Sequence, residues 1–169
     1  MIVAYAGRRV KSLGNDPAAV GSRIRLLLVA LQPTAVVGAA ADGADLLVLE
    51  WALMIPDGPA THIILPTTRD VFREDSVESG WRDRFDAALM EAERGGGTIA
   101  TLDLEPGEAA YRRANQAILD RAAALDDSGE QVVVLVVARE GEGQMIQDLQ
   151  QRAGLRNVPV LRIDPSEDA

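Results

Sequence analysis

Apolar residues gather in six short runs, Ile2 to Ala6, Ala35 to Ala39, His62 to Leu65, Thr98 to Leu102, Val132 to Ala138 and Val158 to Ile163, with a stretch of helical character between each pair. Several runs are apolar without interruption, Val132-Val133-Val134-Leu135-Val136-Val137 most clearly. A strand with one wet face alternates, whereas a strand covered on both faces of a parallel sheet reads as continuous. Helices must then cover both faces of the sheet. Asp16-Pro17 supplies an N-cap and a proline at the first helical position, and Val20, Ile24, Leu27, Leu28 and Leu31 follow as one stripe. Phe85 and Leu89 share a face of a helix from Trp81 to Arg94, stopped by Gly95-Gly96-Gly97. Ala114, Ile118, Ala122 and Leu125 repeat at helical spacing between Gly107 and Leu125, and Met145, Ile146 and Leu149 do so between Gly143 and Ala153. Pro159 has no N–H to give a ladder, which places the last strand at a sheet edge.

This alternation predicts an α/β fold: an open, doubly wound, mainly parallel sheet of about six strands in a Rossmann-like three-layer sandwich. Residues 1–169 read as one domain, with Asp164 to Ala169 a solvated, flexible tail and with Pro56-Asp57-Gly58-Pro59 and Asp126-Asp127-Ser128-Gly129 as turns. Ligands of such sheets sit outside the carboxyl ends of the strands, near the point where the strand order reverses. The loops that follow the strands are therefore the places to look for chemistry.

The richest is Gly38-Ala39-Ala40-Ala41-Asp42-Gly43-Ala44-Asp45, where an apolar strand runs into small residues and then into a helix. Small side chains at such a turn let a phosphate or ribose approach backbone N–H groups at a helix N-terminus. Ala41 and Gly43 give that close approach, and Asp42 and Asp45 either cap the helix or accept from ribose hydroxyls, the plain N-cap being the simpler role for Asp45. After the first strand, Gly7-Arg8-Arg9 is either a phosphate-gripping turn or a surface turn with solvated arginines. The third loop, Pro66 to Glu78, is long, and it offers Pro66, Thr67, Arg69 and Ser76 to a ligand, with Phe72, like Trp81, packing in the core. Tyr111 and Asn115, one helical turn apart, face the same cleft as readers of a base edge or as a structural pair.

Composition mainly excludes. There is no cysteine, so no disulfide and no thiolate metal site, and the single histidine, His62, cannot build a histidine metal cluster and is read as structural. The net charge of −9, with Lys11 the only lysine, disfavours duplex nucleic acid but not a small anion. No apolar run is long enough for a membrane span, and a cytoplasmic location is the expectation. The chain lacks a G-x-S-x-G elbow, a P-loop and a G-x-G-x-x-G fingerprint, so no catalytic set, metal or cofactor follows. If the protein is an enzyme, Glu50 or Asp42 is the candidate base.

In Gly7-Arg8-Arg9, in Ala40 to Glu50, in Leu65-Pro66 with Phe72 and Ser76-Val77, in Trp81 with Arg84-Phe85, and in Tyr111 with Ala114-Asn115, the chain resembles the SLOG superfamily. These are Rossmann-like domains named after the Smf/DprA and cytokinin-activating LOG proteins, and the branch it resembles is attached to bacterial signalling proteins. Arg8 stands where that branch has a histidine. The resemblance implies binding of a nucleotide or nucleotide-derived signal, ADP-ribose-like, through Gly7, Arg8, Arg9, Ala41, Asp42, Gly43, Asp45, Pro66 and Ser76. Superfamily members that cleave nucleoside monophosphates carry a Pro-Gly-Gly-x-Gly-Thr-x-x-Glu motif, which Gly95-Gly96-Gly97-Thr98 does not reproduce. The expectation is a non-catalytic sensor, homo-oligomeric or coupled to an effector domain, in which Arg8, Arg9 and Arg69 close on phosphate. The alternatives are a nucleotide N-glycosidase of the phosphoribohydrolase type and a scaffold with a vestigial pocket.

Overall fold

The computed structural model describes residues 1–126 and 131–166 and forms one six-stranded sheet. The strands are β1 (Ile2–Gly7), β2 (Ala35–Gly38), β3 (Ala60–Leu65), β4 (Thr98–Thr101), β5 (Val132–Val137) and β6 (Val160–Ile163), all parallel and in the order β4-β3-β2-β1-β5-β6. The helices are α1 (Pro17–Leu31), α2 (Ala44–Met54), α3 (Arg69–Ser76), α4 (Arg82–Arg94), α5 (Glu108–Ala124) and α6 (Gln144–Leu155).

The period of two along each strand sorts the core into layers. Val3 and Tyr5, with Val133, Leu135 and Val137, meet Val20, Ile24 and Leu28 of α1 and Val48 and Trp51 of α2. Their neighbours Ile2, Ala4, Val134 and Val136 turn the other way onto Ile118 and Leu119 of α5 and Ile146 and Leu149 of α6. A third cluster joins Leu46 and Leu49 of α2 to Ile63 and Leu65 of β3, Phe72 of α3 and Phe85 and Leu89 of α4. The sandwich is therefore α1, α2 and α4 on one face and α5 and α6 on the other. Asp16 caps α1 as its sequence requires, Oδ1 accepting from the N–H groups of Ala18 and Ala19 at 3.0 and 3.1 Å.

Three local expectations change. The segment from Pro66 to Glu78 is not a long loop: it contains α3, whose N-cap Thr68 accepts from Val71 N–H at 3.4 Å. Eight residues with Phe72 and Ser76 as the buried positions are too few for a helical stripe to stand out in sequence. Pro159 lies just before β6 rather than inside it, its carbonyl accepting from Val134 N–H at 2.8 Å, and β6 is an edge strand. Of the presumed tail, Asp164 is held by Arg23, which donates to its carbonyl; residues 167–169, like most of the turn from Asp126 to Gly129, lie outside the described residues.

Candidate functional site

The strand order reverses at β1. The chain leaves it through β2, β3 and β4 to one edge and returns to pair β5 on its other side. The loops after β1 and β5 diverge there to opposite faces, and a cleft of about 500 Å³ opens above them. Of the residues singled out in the sequence, Gly7, Arg8, Arg9, Ala41, Asp45, Pro66, Ser76, Tyr111 and Asn115 line this cleft, whereas Asp42, Gly43, Thr67, Arg69 and Glu50 do not.

The two adjacent arginines have different fates. Arg9 is fastened to Asp42: Nη2 lies 2.7 Å from Oδ2, and Nη1 also donates to the Asp75 carbonyl at 3.2 Å. Asp42 is fully buried and takes two further N–H groups, those of Val10 at 2.9 Å and Glu78 at 2.8 Å. Burial alone would raise the Asp42 carboxyl; the Arg9 guanidinium and the two backbone donors overcome that and hold it below its ordinary value. Asp42 is thus a clamp joining the loops after β1 and β2 to the segment after α3, rather than a free acceptor for ribose. Gly43 serves the same junction. It sits at φ 90° as the N-cap of α2, and a Cβ there would lie 2.6 Å from both the Arg8 carbonyl oxygen and the Val10 nitrogen.

Arg8 has no carboxylate partner within 4.0 Å among the described residues; its Nη2 donates to Ser12 Oγ at 2.9 Å, and its buried Nε has no partner. Against the Arg8 guanidinium lies the start of α6, where Gly143 (φ 77°) is an N-cap without a side-chain cap, and a Cβ on it would stand 3.2 Å from Arg8 Nη1. The first-turn N–H groups of a helix have no intrahelical acceptor and carry partial positive charge. Gly143, Gln144, Met145 and Ile146 all line the cleft. A guanidinium without a carboxylate partner therefore sits against a helix N-terminus in the cleft wall.

Asp45 is not an N-cap. It lies one residue into α2, where Oδ1 accepts from Gly7 N–H at 3.1 Å and Oδ2 from Ala41 N–H at 3.4 Å. It is 6% exposed, and burial pushes its carboxyl up to about 7, with the charge of Asp42 adding to the two N–H bonds' failure to offset it. Tyr5 lies beneath, its hydroxyl donating to the Ala39 carbonyl at 2.9 Å and raised well above its ordinary value by burial and then by Asp45.

The opposite wall comes from α3 and α5. Ser76 and Tyr111 share a hydrogen bond between their hydroxyls. Asn115 donates to the Met145 carbonyl at 2.8 Å and to Asp148 Oδ2 at 2.9 Å, so it anchors α5 to α6, and Tyr111 bonds to α3 rather than to Asn115. Asp148 is buried and also receives Arg112 and Arg152; burial would raise its carboxyl, but those partners hold it below the ordinary value. Apolar surface from Phe72, Ala114, Ile118 and Met145 completes the lining.

The remaining candidates are spent elsewhere. Thr67 is buried and donates to the Thr68 carbonyl at 3.1 Å. Arg69 turns to Glu93 at 3.3 Å, so it does not close on the cleft with Arg8 and Arg9. Glu50 receives Arg84 through both oxygens, at 2.7 and 2.6 Å, and Arg84 stacks 3.8 Å over Trp81. Neither Glu50 nor Asp42 is placed to act as a base on a molecule in the cleft. His62 accepts or donates at Thr98 Oγ1 (2.7 Å) on the α5 face, and burial followed by the Arg121 charge lowers its pKa.

In comparison with known proteins, no family model and no curated protein matches the chain. Among the described residues no helix is long and apolar enough to cross a membrane. The loop from Arg139 to Gly143 is one of those that follow a strand, but the sequence assigns no ligand role to Ser12 or to the start of α6; the pair Gly141 and Gly143, both at positive φ in the loop after β5, was the available signal.

Proposed function

We propose that this chain is a nucleotide-binding sensor domain of the kind its SLOG resemblance implies, taking a nucleotide or nucleotide-derived anion in the cleft between β1 and β5. The observation that carries this reading is Arg8, a cation with an unpartnered buried Nε, set against the uncapped start of α6 in the wall of a cleft at the strand-order reversal. A phosphate in the cleft beside this pair gains charge-assisted hydrogen bonds from Arg8 and N–H groups from α6. The apolar side around Phe72, Ile118 and Met145 suits a base or sugar face. Ligand contact with Ser76 and Tyr111 would reach α3, which a partner surface or effector domain can read.

Thermal shift against AMP, NAD, ADP-ribose, cyclic ADP-ribose and cyclic dinucleotides tests this, with each hit checked for turnover. A ligand at a hundred times its Kd stabilises by about 2.7 kcal/mol. The expected hit is recovered unchanged and is lost in Arg8→Ala. Arg9→Ala is the less informative variant, because it unfastens the Asp42 clamp. No hit, or a hit indifferent to Arg8→Ala, overturns the reading. A hydrolytic reading has one observation in its favour, the Asp45 carboxyl in the cleft wall with its pKa near neutrality. Conversion of the hit to base and sugar phosphate, abolished in Asp45→Asn, would establish it instead.

A further inference from the structure

The two edges of the sheet are defended unequally. β6 is entered through the exposed Pro159 and carries the exposed Arg162, both of which discourage pairing with another strand. β4 has neither device: from Gly95 to Leu102 there is no charge and no proline. Thr98, Ala100 and Thr101 are exposed. The N–H groups of Leu102 and Leu104 turn inward to the carbonyls of Leu65 and Pro66, at 2.9 and 3.1 Å. By alternation, Ile99 and Thr101 aim their N–H and C=O groups at the open side.

We propose that the β4 edge pairs antiparallel with the β4 edge of a second copy, about a two-fold axis at Ala100. Only registers that set outward-facing residues opposite each other satisfy both ladders. The one centred on Ala100 places Ile99 opposite Thr101 of the second copy as hydrogen-bonded pairs on either side of the axis, a β-branched pairing that favours a sheet. Ala100 meets its own copy at the close-approach position, where Cα atoms come within about 4.5 Å and a small side chain fits. Asp103 and Glu105, which form no ion pair among the described residues, leave the strand at one end, and Arg94, 65% exposed and ion-paired with Glu91 of its own helix, precedes it at the other. Antiparallel pairing keeps the Asp103–Glu105 ends of the two copies at opposite ends of the joint, whereas parallel pairing would set acid against acid. The edge is short, so the dimer is a weak one that grows with concentration.

Sedimentation over a concentration series of the full chain reads this directly, and the chain's lack of cysteine allows a second readout. Wild type is expected to shift toward twice its 18.1 kDa mass as concentration rises, and Ala100→Lys, at an exposed position, to remain monomeric with unchanged circular dichroism. Under mild oxidation, Ala100→Cys is expected to form a symmetric disulfide, because that Cα separation falls within the range a disulfide spans. Ser22→Cys on the exposed side of α1 is the control for random collision and should not cross-link faster than free thiols collide. A wild type that stays monomeric at every concentration overturns the proposal. So does a dimer that survives Ala100→Lys, or an Ala100→Cys variant that cross-links no faster than Ser22→Cys.

Discussion

Asp45 makes the stability of this protein fall as pH rises through a window where acidic proteins usually hold steady. Its carboxyl titrates near 7 in the folded chain and at 3.8 as an unperturbed group. The folded state therefore holds its proton over a range in which the unfolded state has released it, and stability declines by about 1.4 kcal/mol per pH unit between those two values. From pH 5 to pH 8 the loss from this one group is about 2.5 kcal/mol. His62 acts with the opposite sign, since its lowered pKa makes stability rise as pH climbs toward its unfolded value, so the wild-type profile alone mixes the two. Asp45→Asn isolates the term. Its amide oxygen can keep one of the N–H donors of Gly7 and Ala41 but sets an NH2 group against the other, at a cost of about 1–3 kcal/mol that does not vary with pH. Denaturant unfolding of both proteins from pH 5 to pH 8 should show the wild type losing about 2.5 kcal/mol relative to the variant, roughly 5–10 °C in Tm for a chain of this size. Parallel profiles for the two proteins would refute the buried, unpaired state of Asp45.

Asp42→Ala leaves the Arg9 guanidinium and the N–H groups of Val10 and Glu78 without their acceptor and is expected to cost about 3 kcal/mol in denaturant unfolding; a change under 1 kcal/mol would deny the clamp. Gly43→Ala forces a Cβ against the Arg8–Val10 backbone at positive φ and should destabilise by more than about 2 kcal/mol, measured the same way. Asp16→Ala removes the α1 cap for about 1 kcal/mol and should leave ligand-induced thermal shifts unaltered.

The layers of the fold were legible because burial on both faces of a parallel sheet writes itself as unbroken apolar runs. Even β4, which is largely exposed, carried enough β-branched character to be found between Gly97 and Leu102. What failed was local and short. α3 rests on a Thr68 cap and on Phe72 packing 6.0 Å from Phe85, a contact between segments that no local period records.

The site was half legible, and the dividing line is physical. Which loops border the cleft follows from β/α alternation, because every loop after a strand emerges at the same end of the sheet. Which residues are free to bind there depends on partners distant in sequence. Arg8 and Arg9 are indistinguishable as neighbours; Asp42, supplied by the loop after β2, engages one and leaves the other. The same reasoning separates the acids. Asp42 and Glu50 each receive an arginine and are fixed as structure, while Asp45, which sequence reads as the most ordinary cap of the three, has no cation and takes the strained charge. A group left electrostatically unsatisfied in a cleft is one whose state a bound anion must change. A phosphate entering beside Arg8 would add negative charge near Asp45 and favour its protonated form, so binding near neutral pH should take up a fraction of a proton. Calorimetry of any ligand found, repeated in buffers of different ionisation enthalpy, would measure that uptake, and its absence would place the anion away from the Arg8 end of the cleft.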